Sequence, residues 1–230
     1  MSKWKNDTEL FSLAKEKLFT ALVGDVLDKM GFLHQFLPPQ LQPLMPDSVL
    51  IGRAMPVLEM DVFEEIALDS HTSILKAPFG LMFEALDDLK ENEVYICTGS
   101  SPRYALWGGL MTVRAKKLGA AGAVVNGFLR DTKEVIRLGF PVFSMGSYAQ
   151  DQGPRGKVID YRIPIEWSGI RIVPGDIVFG DRDGVLIVPR EAEEEAFSKA
   201  IEKALAEKLV LNALQEGMSA AEAFRKFGIM

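Results

Sequence analysis

The chain has 230 residues, 48% of them hydrophobic, which is enough to fill a core as a single domain over residues 1–230. Lys and Arg number 26 against 32 Asp and Glu, and the net charge of −6 argues against nucleic acid as a direct ligand. One cysteine and two histidines exclude an intramolecular disulfide and a His-rich metal cage. No apolar stretch has the length of a leader or a membrane span, so we predict a soluble cytoplasmic protein without a membrane partner.

The N-terminal part, residues 7–31, is predicted to be helical. Its apolar residues recur at intervals of three and four, the period of one or two amphipathic helices, and Gly31 offers a stop. Residues 36–56 form a Pro-rich arm in which helix is excluded over most of the length. We expect an extended connection there, with a short strand at Val49–Ile51. Apolar residues between the prolines indicate that the arm packs on a neighbouring part of the protein.

Residues 49–188 are predicted to form an α/β core, because strand and helix patterns alternate through its middle. The predicted elements are strands at Val94–Thr98, Ala123–Asn126 and Pro141–Phe143 and helices at Gly108–Leu118 and Asp131–Leu138. After Ser144 the pattern changes to short β-rich runs, which we expect to be antiparallel strands that close over the α/β layer. These runs lie at Val158–Ile163, Ile170–Val173, Ile177–Phe179 and Gly184–Val188.

The C-terminal part, residues 190–228, is predicted to contain two helices. A long helix over Arg190–Gln215 has helically spaced apolar residues and several glutamates at its N-terminal end. Ser219 and Glu222 make a capping box for a short last helix at Ala220–Phe227.

The segment Asn126–Asp131 is the main candidate for a functional site, because it leaves the carboxyl end of a predicted buried strand. There Arg130 could grip a carboxylate with two hydrogen bonds, and Asp131 could supply an oxygen ligand to Mg²⁺ or Mn²⁺. A purely structural interpretation stays open, since Asp131 and Glu134 have the spacing of a capping box.

A second candidate is the turn at Trp107, Gly108, Gly109, Leu110 and Met111, which opens a predicted helix. The two glycines would let a ligand approach the backbone, and the free amides of the first helical turn attract anions. A plain glycine turn is the alternative.

The remaining reactive residue types are predicted to be structural. Cys97 lies in an apolar run and is predicted to be a buried small hydrophobic residue. Neither His34 nor His71 has a nucleophile near it in the sequence, and no glycine-rich cofactor loop supports a methyltransferase.

Several segments together resemble the RraA-like family, which includes class II, metal-dependent 4-hydroxy-4-methyl-2-oxoglutarate and 4-carboxy-4-hydroxy-2-oxoadipate aldolases and the regulator of ribonuclease E activity. Some members carry an old label as dimethylmenaquinone methyltransferases. The segments that carry the resemblance are Ala105–Leu110, Gly119–Gly127, Arg130–Asp131, Gly139–Phe143, Pro174–Asp176 and Asp181–Val185, with Val23–Asp28 and Gly52–Ala54 nearer the N-terminus.

The resemblance implies a swivelling-domain-like β/β/α sandwich that assembles as a homotrimer or homohexamer. It also implies that Arg130 binds the carboxylate and keto group of pyruvate, that Asp131 holds Mg²⁺ or Mn²⁺, and that amides from Gly108 to Met111 cradle the pyruvate carboxylate. The implied function is retro-aldol cleavage of a 4-hydroxy-2-oxo acid, or oxaloacetate decarboxylation, through a metal-stabilised pyruvate enolate. A non-catalytic regulator of an RNA-processing protein such as a ribonuclease is the alternative.

One position departs from the aldolase pattern. Members of that group have an acidic residue 21 positions before the arginine, where this chain has Gly109. The acid that would order water or move a proton is therefore missing. The candidates for a replacement carboxylate are Glu84, Asp181, Asp183 and Glu191, either from the same chain or across a subunit interface, and the sequence does not choose among them. Asp183 and Gly184 are also a favourable turn dipeptide, which is the structural alternative for Asp183.

Overall fold

The computed structural model describes residues 4–63 and 70–228. Its helices are α1 (Asp7–Lys17), α2 (Thr20–Lys29), α3 (Ser73–Lys76), α4 (Met82–Asp87), α5 (Gly109–Lys117), α6 (Thr132–Leu138), α7 (Glu193–Gln215) and α8 (Ala220–Phe227). Within these described residues, no helix combines the length and the apolar character that crossing a bilayer requires. The helices predicted from periodicity are all found, with ends that differ by up to three residues.

Twelve strands accompany the helices in the described part of the chain. They are β1 (Gln42–Pro43), β2 (Leu50–Asp61), β3 (Glu93–Thr98), β4 (Ala105–Trp107), β5 (Gly122–Val125), β6 (Phe128–Leu129), β7 (Val142–Ser144), β8 (Gly156–Tyr161), β9 (Ile165–Trp167), β10 (Ile170–Ile172), β11 (Ile177–Asp181) and β12 (Gly184–Val188).

The main sheet is mixed and has eight strands in the order β1-β7-β5-β3-β2-β11-β12, with β8 also paired to β2. Strands β2, β3, β5 and β7 are parallel, while β1, β8, β11 and β12 pair antiparallel. β9 and β10 form a separate hairpin, and β4 and β6 a separate parallel pair. Parallel strands need crossover connections, which the helices after β4 and β6 provide.

The expected short strand at Val49–Ile51 is wrong in length, because β2 runs over twelve residues and is the central strand. It contains Pro56, a residue that normally breaks a central strand because it has no amide hydrogen. The amides of Arg53 and Ala54 donate to opposite sides of β2, so position 56 faces the same side as Ala54. On that side of β2, strand β11 pairs with residues up to Arg53, and strand β8 pairs with residues from Val57 onward. The amide hydrogen that Pro56 lacks would therefore point into the gap between β11 and β8.

Alternation along β3 divides the core into two layers. Tyr95 and Cys97 pack toward α4, α5 and α6, whereas Val94 and Ile96 pack toward the β9–β10 hairpin and the Pro-rich arm. Hairpin, sheet and helices thus follow one another as β, β and α layers, as expected. The Pro-rich arm is anchored as predicted, with buried leucines in the second layer.

The expectation for the strands after Ser144 is only partly correct. The β9–β10 hairpin does cover a face of the main sheet, but β8, β11 and β12 extend that sheet instead of closing over it. One edge of β2 pairs with β3, the other edge pairs with β8 and β11, and the apolar runs of β11 and β12 are buried on both faces there.

Helices α1, α2 and α7 pack on β11 and β12 as a third layer of the core. Arg53 on β2 fixes their positions: its guanidinium lies 2.5 Å from Asp7 of α1 and 2.5 Å from Glu193 of α7. The hydrogen bond from Arg53 lowers the pKa of Asp7 below its ordinary value. Because the Arg53 side chain is only 16% exposed, losing it would leave two carboxylates without their shared partner.

We expect Arg53→Leu to lower the free energy of unfolding by about 2 kcal/mol at pH 7. The difference from the native chain should shrink below pH 3.8, the ordinary pKa of Asp7, because the folded-state pKa is depressed and the stabilisation disappears as the carboxylate is protonated. Urea unfolding at pH 7 and pH 3 measures both values, with Arg182→Leu on the exposed turn before β12 as control. An equal loss from both variants would contradict this role.

Candidate active site

Parallel pairing of β4 with β6 brings the two candidate segments together. Trp107 of β4 lies opposite Leu129 of β6, and the next amide, that of Arg130, donates to the Trp107 carbonyl at 2.9 Å. Both strands end at the same edge, so Arg130 and Asp131 leave it beside Gly108 and the start of α5. The sequence did not predict β6, which has only two residues.

Trp107 is a fixed support for this edge. Its ring is buried, stacks on Phe140 with centroids 6.0 Å apart, and donates from Nε1 to Thr112 Oγ1 at 2.8 Å. The Thr112 hydroxyl in turn donates to the Gly108 carbonyl at 3.0 Å. These contacts hold the first turn of α5 in place relative to the core.

Asp131 does not form the capping box that the sequence left open. Its backbone is left-handed, with φ 57° and ψ 34°, and its side chain makes no cap hydrogen bond to α6. Glu134 instead lies 2.5 Å from Arg137 on the same helix. The Asp131 carboxylate turns the other way and accepts a hydrogen bond through Oδ2 from the Gly109 amide at 3.0 Å. Asp131 therefore caps α5, the neighbouring helix.

The two glycines allow this close approach. A Cβ atom at position 108 would lie 3.0 Å from Asp131 Oδ2 and 3.4 Å from Arg130 Cγ. At position 109 it would lie 3.3 Å from both Asp131 Cβ and Glu134 Cγ. A side chain at either position would crowd Arg130 or Asp131. The two glycines therefore do more than form a turn, because they leave room for these side chains.

Two amides in the first turn of α5 remain available to a ligand. Those of Leu110 and Met111 find no acceptor among the residues that the structure describes. Together with the positive end of the helix dipole they favour an anion at this position.

Arg130 reaches toward this position from one side. Its Nη1 lies 2.7 Å from Asp151 Oδ1, and both side chains are about 40% exposed. In the described parts of the chain, Nε and Nη2 have no acceptor, so two donors of the guanidinium fork are free for a ligand carboxylate.

The carboxylate found here is Asp151, which the sequence analysis missed. Of the four expected replacements, Asp181 accepts from Thr20 at 2.7 Å, Asp183 is on an exposed turn, and Glu191 lies at a different surface. Glu84 is exposed on α4. None of the four lines the cavity within one chain. Asp151 lies in the loop between β7 and β8, where no periodic pattern marks it.

A cavity of about 280 Å³ lies between α4 and the start of α5. Its polar lining is Arg130, Asp131, Asp151 and Gln152. A shallower depression of about 570 Å³ lies between α2 and α7. It shares no residue with the first cavity and has no convergent pair of acid and arginine, so the smaller cavity is the candidate active site.

A buried acid supports one wall of this cavity. Gln152 donates to Glu59 Oε1 at 2.6 Å, and Glu59 is only 2% exposed. Burial, with a smaller contribution from Asp61, raises the pKa of Glu59 to about 8. Glu59 is thus mostly protonated at neutral pH.

Cys97 is structural, as predicted. It is fully buried, and its Sγ lies 4.0 Å from Glu59 Oε2. Burial, and then the nearby Glu59, raise the pKa of the thiol well above its ordinary value, so no thiolate forms near neutral pH.

Comparison with known proteins identifies the family. The family model "RraA-like: Aldolase/RraA" matches residues 20–187. The chain belongs to the RraA-like family. A protein of Halalkalibacterium halodurans named "Putative 4-hydroxy-4-methyl-2-oxoglutarate aldolase" is 28% identical over 89% of both chains.

Two solved structures have the same RraA-like fold. An uncharacterized protein from Pseudomonas syringae superposes with a TM-score of 0.82 at 24% identity, covering 99% of this chain and 98% of that one. Streptomyces coelicolor RraAS2, described as an unusual member of the RNase ES inhibitor RraA protein family, gives 0.73 at 23% identity over 90% and 98%. At such identity these likenesses concern the fold alone, and they confirm the predicted fold class.

We expect Glu59→Gln to change how stability depends on pH. Between pH 4.5 and about 8 the unfolded chain ionises this group while the folded protein keeps it protonated, so native stability falls with rising pH. Removing the group removes a slope of at most about 1.4 kcal/mol per pH unit. The variant should therefore match the native chain near pH 5 and exceed it at pH 8 in urea unfolding.

Glu16→Gln on the exposed face of α1 is the matched control, and its pH profile should follow the native one. Parallel profiles for all three proteins would show that Glu59 ionises normally.

Proposed function

We propose that this protein is a divalent-metal-dependent carbon–carbon lyase that cleaves a 4-hydroxy-2-oxo acid by retro-aldol chemistry and also decarboxylates oxaloacetate. One observation carries the proposal: Arg130 and Asp131 line the same cavity, beside the open first turn of α5. The aldolase name of the Halalkalibacterium relative supports the same reaction class.

Binding of the 2-oxo acid begins with its carboxylate. The free Nε and Nη2 of Arg130 can donate to it in parallel, while the amides of Leu110 and Met111 supply further donors. This arrangement directs the 2-oxo group of the ligand toward Asp131.

The residues at Asp131 fit a hard divalent cation that keeps most of its water. Oδ2 of Asp131 is taken by the Gly109 amide, and Oδ1 has no donor within the described residues. No cluster of three His, Cys, Asp or Glu side chains occurs in residues 4–63 and 70–228, so protein ligands are few. Mg²⁺ accepts such a site, with one or two carboxylates and several waters. When bound, the cation would polarise the 2-oxo oxygen and stabilise the charge that develops on it.

Proton transfer needs a second carboxylate, and Asp151 is the one that lines the cavity. In the cleavage direction Asp151 takes the proton of the C4 hydroxyl, the C3–C4 bond breaks, and its electron pair passes to the pyruvate half as an enolate. The carbonyl product leaves, and the proton taken up by Asp151 returns, directly or through water, to C3 of the enolate, which gives pyruvate and restores the Asp151 carboxylate. Arg130, 2.7 Å away, keeps the Asp151 carboxylate oriented.

The direct test is release of pyruvate from a panel of 4-hydroxy-2-oxo acids and oxaloacetate, with Mg²⁺, with Mn²⁺ and after chelation. We expect turnover of at least one substrate with metal and loss of about 10²-fold or more after chelation. Silence across the panel with both metals would contradict the proposal and favour the non-catalytic regulator.

Asp131→Asn tests the metal site without removing the cap of α5, because the amide oxygen can still accept from Gly109. We expect Mn²⁺ affinity, measured by calorimetry, to fall by about 10-fold or more together with turnover. Asp47→Asn at an exposed loop position is the control. Unchanged Mn²⁺ affinity in Asp131→Asn would place the metal elsewhere.

Asp151→Asn should separate proton transfer from metal binding. We expect kcat to fall by about 10²-fold while Mn²⁺ affinity stays near the native value. Asp160→Asn on the exposed part of β8 serves as control. Retention of full kcat would show that another group or water moves the proton.

A further inference from the structure

One side of the cavity has no role in the chemistry described so far. It is formed by Phe79, Met82, Phe83 and Leu86, on and just before α4, facing Leu110 and Met111 of α5. Phe83 is 53% exposed and Leu110 is 87% exposed, so the entrance itself is apolar. Apolar side chains that converge on an open cavity usually cover an apolar part of a ligand.

We propose that the substrate of the retro-aldol reaction is a 4-hydroxy-2-oxo monocarboxylate with an aryl or bulky alkyl substituent on C4, and not a 4-hydroxy-2-oxo acid with a second carboxylate. This inference rests on the proposed function, because it assumes that the 2-oxo acid end binds at Arg130 and Asp131. The C4 substituent then extends toward Phe79 and Phe83.

The charges in the cavity favour a single carboxylate. Among the described residues, Arg130 is the one cation that lines it, and it already lies 2.7 Å from Asp151. The guanidinium of Arg155 approaches the same loop, but it donates to the Asp151 carbonyl at 3.0 Å and does not line the cavity. A second substrate carboxylate would lose water against phenylalanine and methionine side chains without gaining a cation.

The residues of the apolar wall pack against one another and against the core. The rings of Phe79 and Phe83 meet edge to face at 5.6 Å, and both Met82 and Leu86 belong to the buried core. A phenyl group laid against this pair gains aromatic and thioether contacts beyond simple burial.

The backbone holds Phe79 at the cavity in a costly conformation. Its φ is 60°, in the left-handed region that bulky residues avoid. Two hydrogen bonds to β8 keep it there: the Phe79 carbonyl accepts from the Val158 amide at 3.1 Å, and the Leu81 amide donates to the Val158 carbonyl at 2.9 Å. Such strain is found where a side chain must be presented to a ligand.

Two uncleaved 2-oxo acids test the proposal by calorimetry with Mg²⁺ present. 2-Oxo-4-phenylbutanoate and 2-oxoglutarate share the 2-oxo acid end and differ in carrying a phenyl group or a second carboxylate. We expect the phenyl compound to bind at least about tenfold more tightly, since a buried ring contributes that much. Equal affinity, or tighter binding of 2-oxoglutarate, would overturn the inference.

Phe83→Arg is the matched variant. It replaces a half-exposed ring at the entrance by a cation, and we expect it to reverse the preference by about tenfold in favour of 2-oxoglutarate. Phe224→Arg on the exposed face of α8 introduces the same charge elsewhere and should leave the native preference. Circular dichroism and thermal melting establish that both variants are folded. An unchanged preference in Phe83→Arg would also overturn the inference.

A pyruvate titration and the oxaloacetate assay separate this inference from the proposed function. If pyruvate binds and oxaloacetate is decarboxylated, but the phenyl compound has no advantage, the substrate class alone is wrong. If neither pyruvate nor either 2-oxo acid binds, both proposals fail. Cleavage of 4-hydroxy-2-oxo-4-phenylbutanoate with a kcat/KM about tenfold above that for 4-hydroxy-4-methyl-2-oxoglutarate would support both.

Discussion

The hydrogen bond from the Gly109 amide to the Asp131 carboxylate joins the two chain segments on which the site depends. It places an acid at the positive end of α5, and it requires that neither Gly108 nor Gly109 carry a side chain. It also explains the left-handed backbone at Asp131, since that conformation turns the carboxylate away from its own helix. Arg130, one residue earlier, is thereby held beside the remaining free amides.

This constraint gives a physical reason for the departure at position 109. In this chain a Cβ atom at position 109 would lie 3.3 Å from both the Asp131 and the Glu134 side chain. These two side chains occupy the space that a larger residue at position 109 would need. An acid at 109 would also place a further negative charge against Asp131. The carboxylate that faces Arg130 comes instead from Asp151, on a different loop. Asp131 and Asp151 are thus the two carboxylates that line this cavity among the described residues.

Local features of the fold could be predicted from the sequence. Helical periodicity, glycine stops and the Ser219 cap depend on residues close together in the chain, and each is found. Sheet organisation depends on distant segments. The length of β2 depends on Pro56 facing the gap between β8 and β11, and no local pattern shows which strands pair with β2.

The sequence by itself determined the RraA-like family and the α/β class, and it singled out Arg130, Asp131, Gly108 and Gly109, which the fold brings together. Tertiary structure decided what these residues contact: that Asp131 caps α5 instead of its own helix, that Asp151 supplies the second carboxylate, and that Phe79 forms an apolar wall. The physical reason is range. Helix periods and turn residues act over a few positions, whereas a cavity is made where separate loops are brought together by strand pairing and burial of the core.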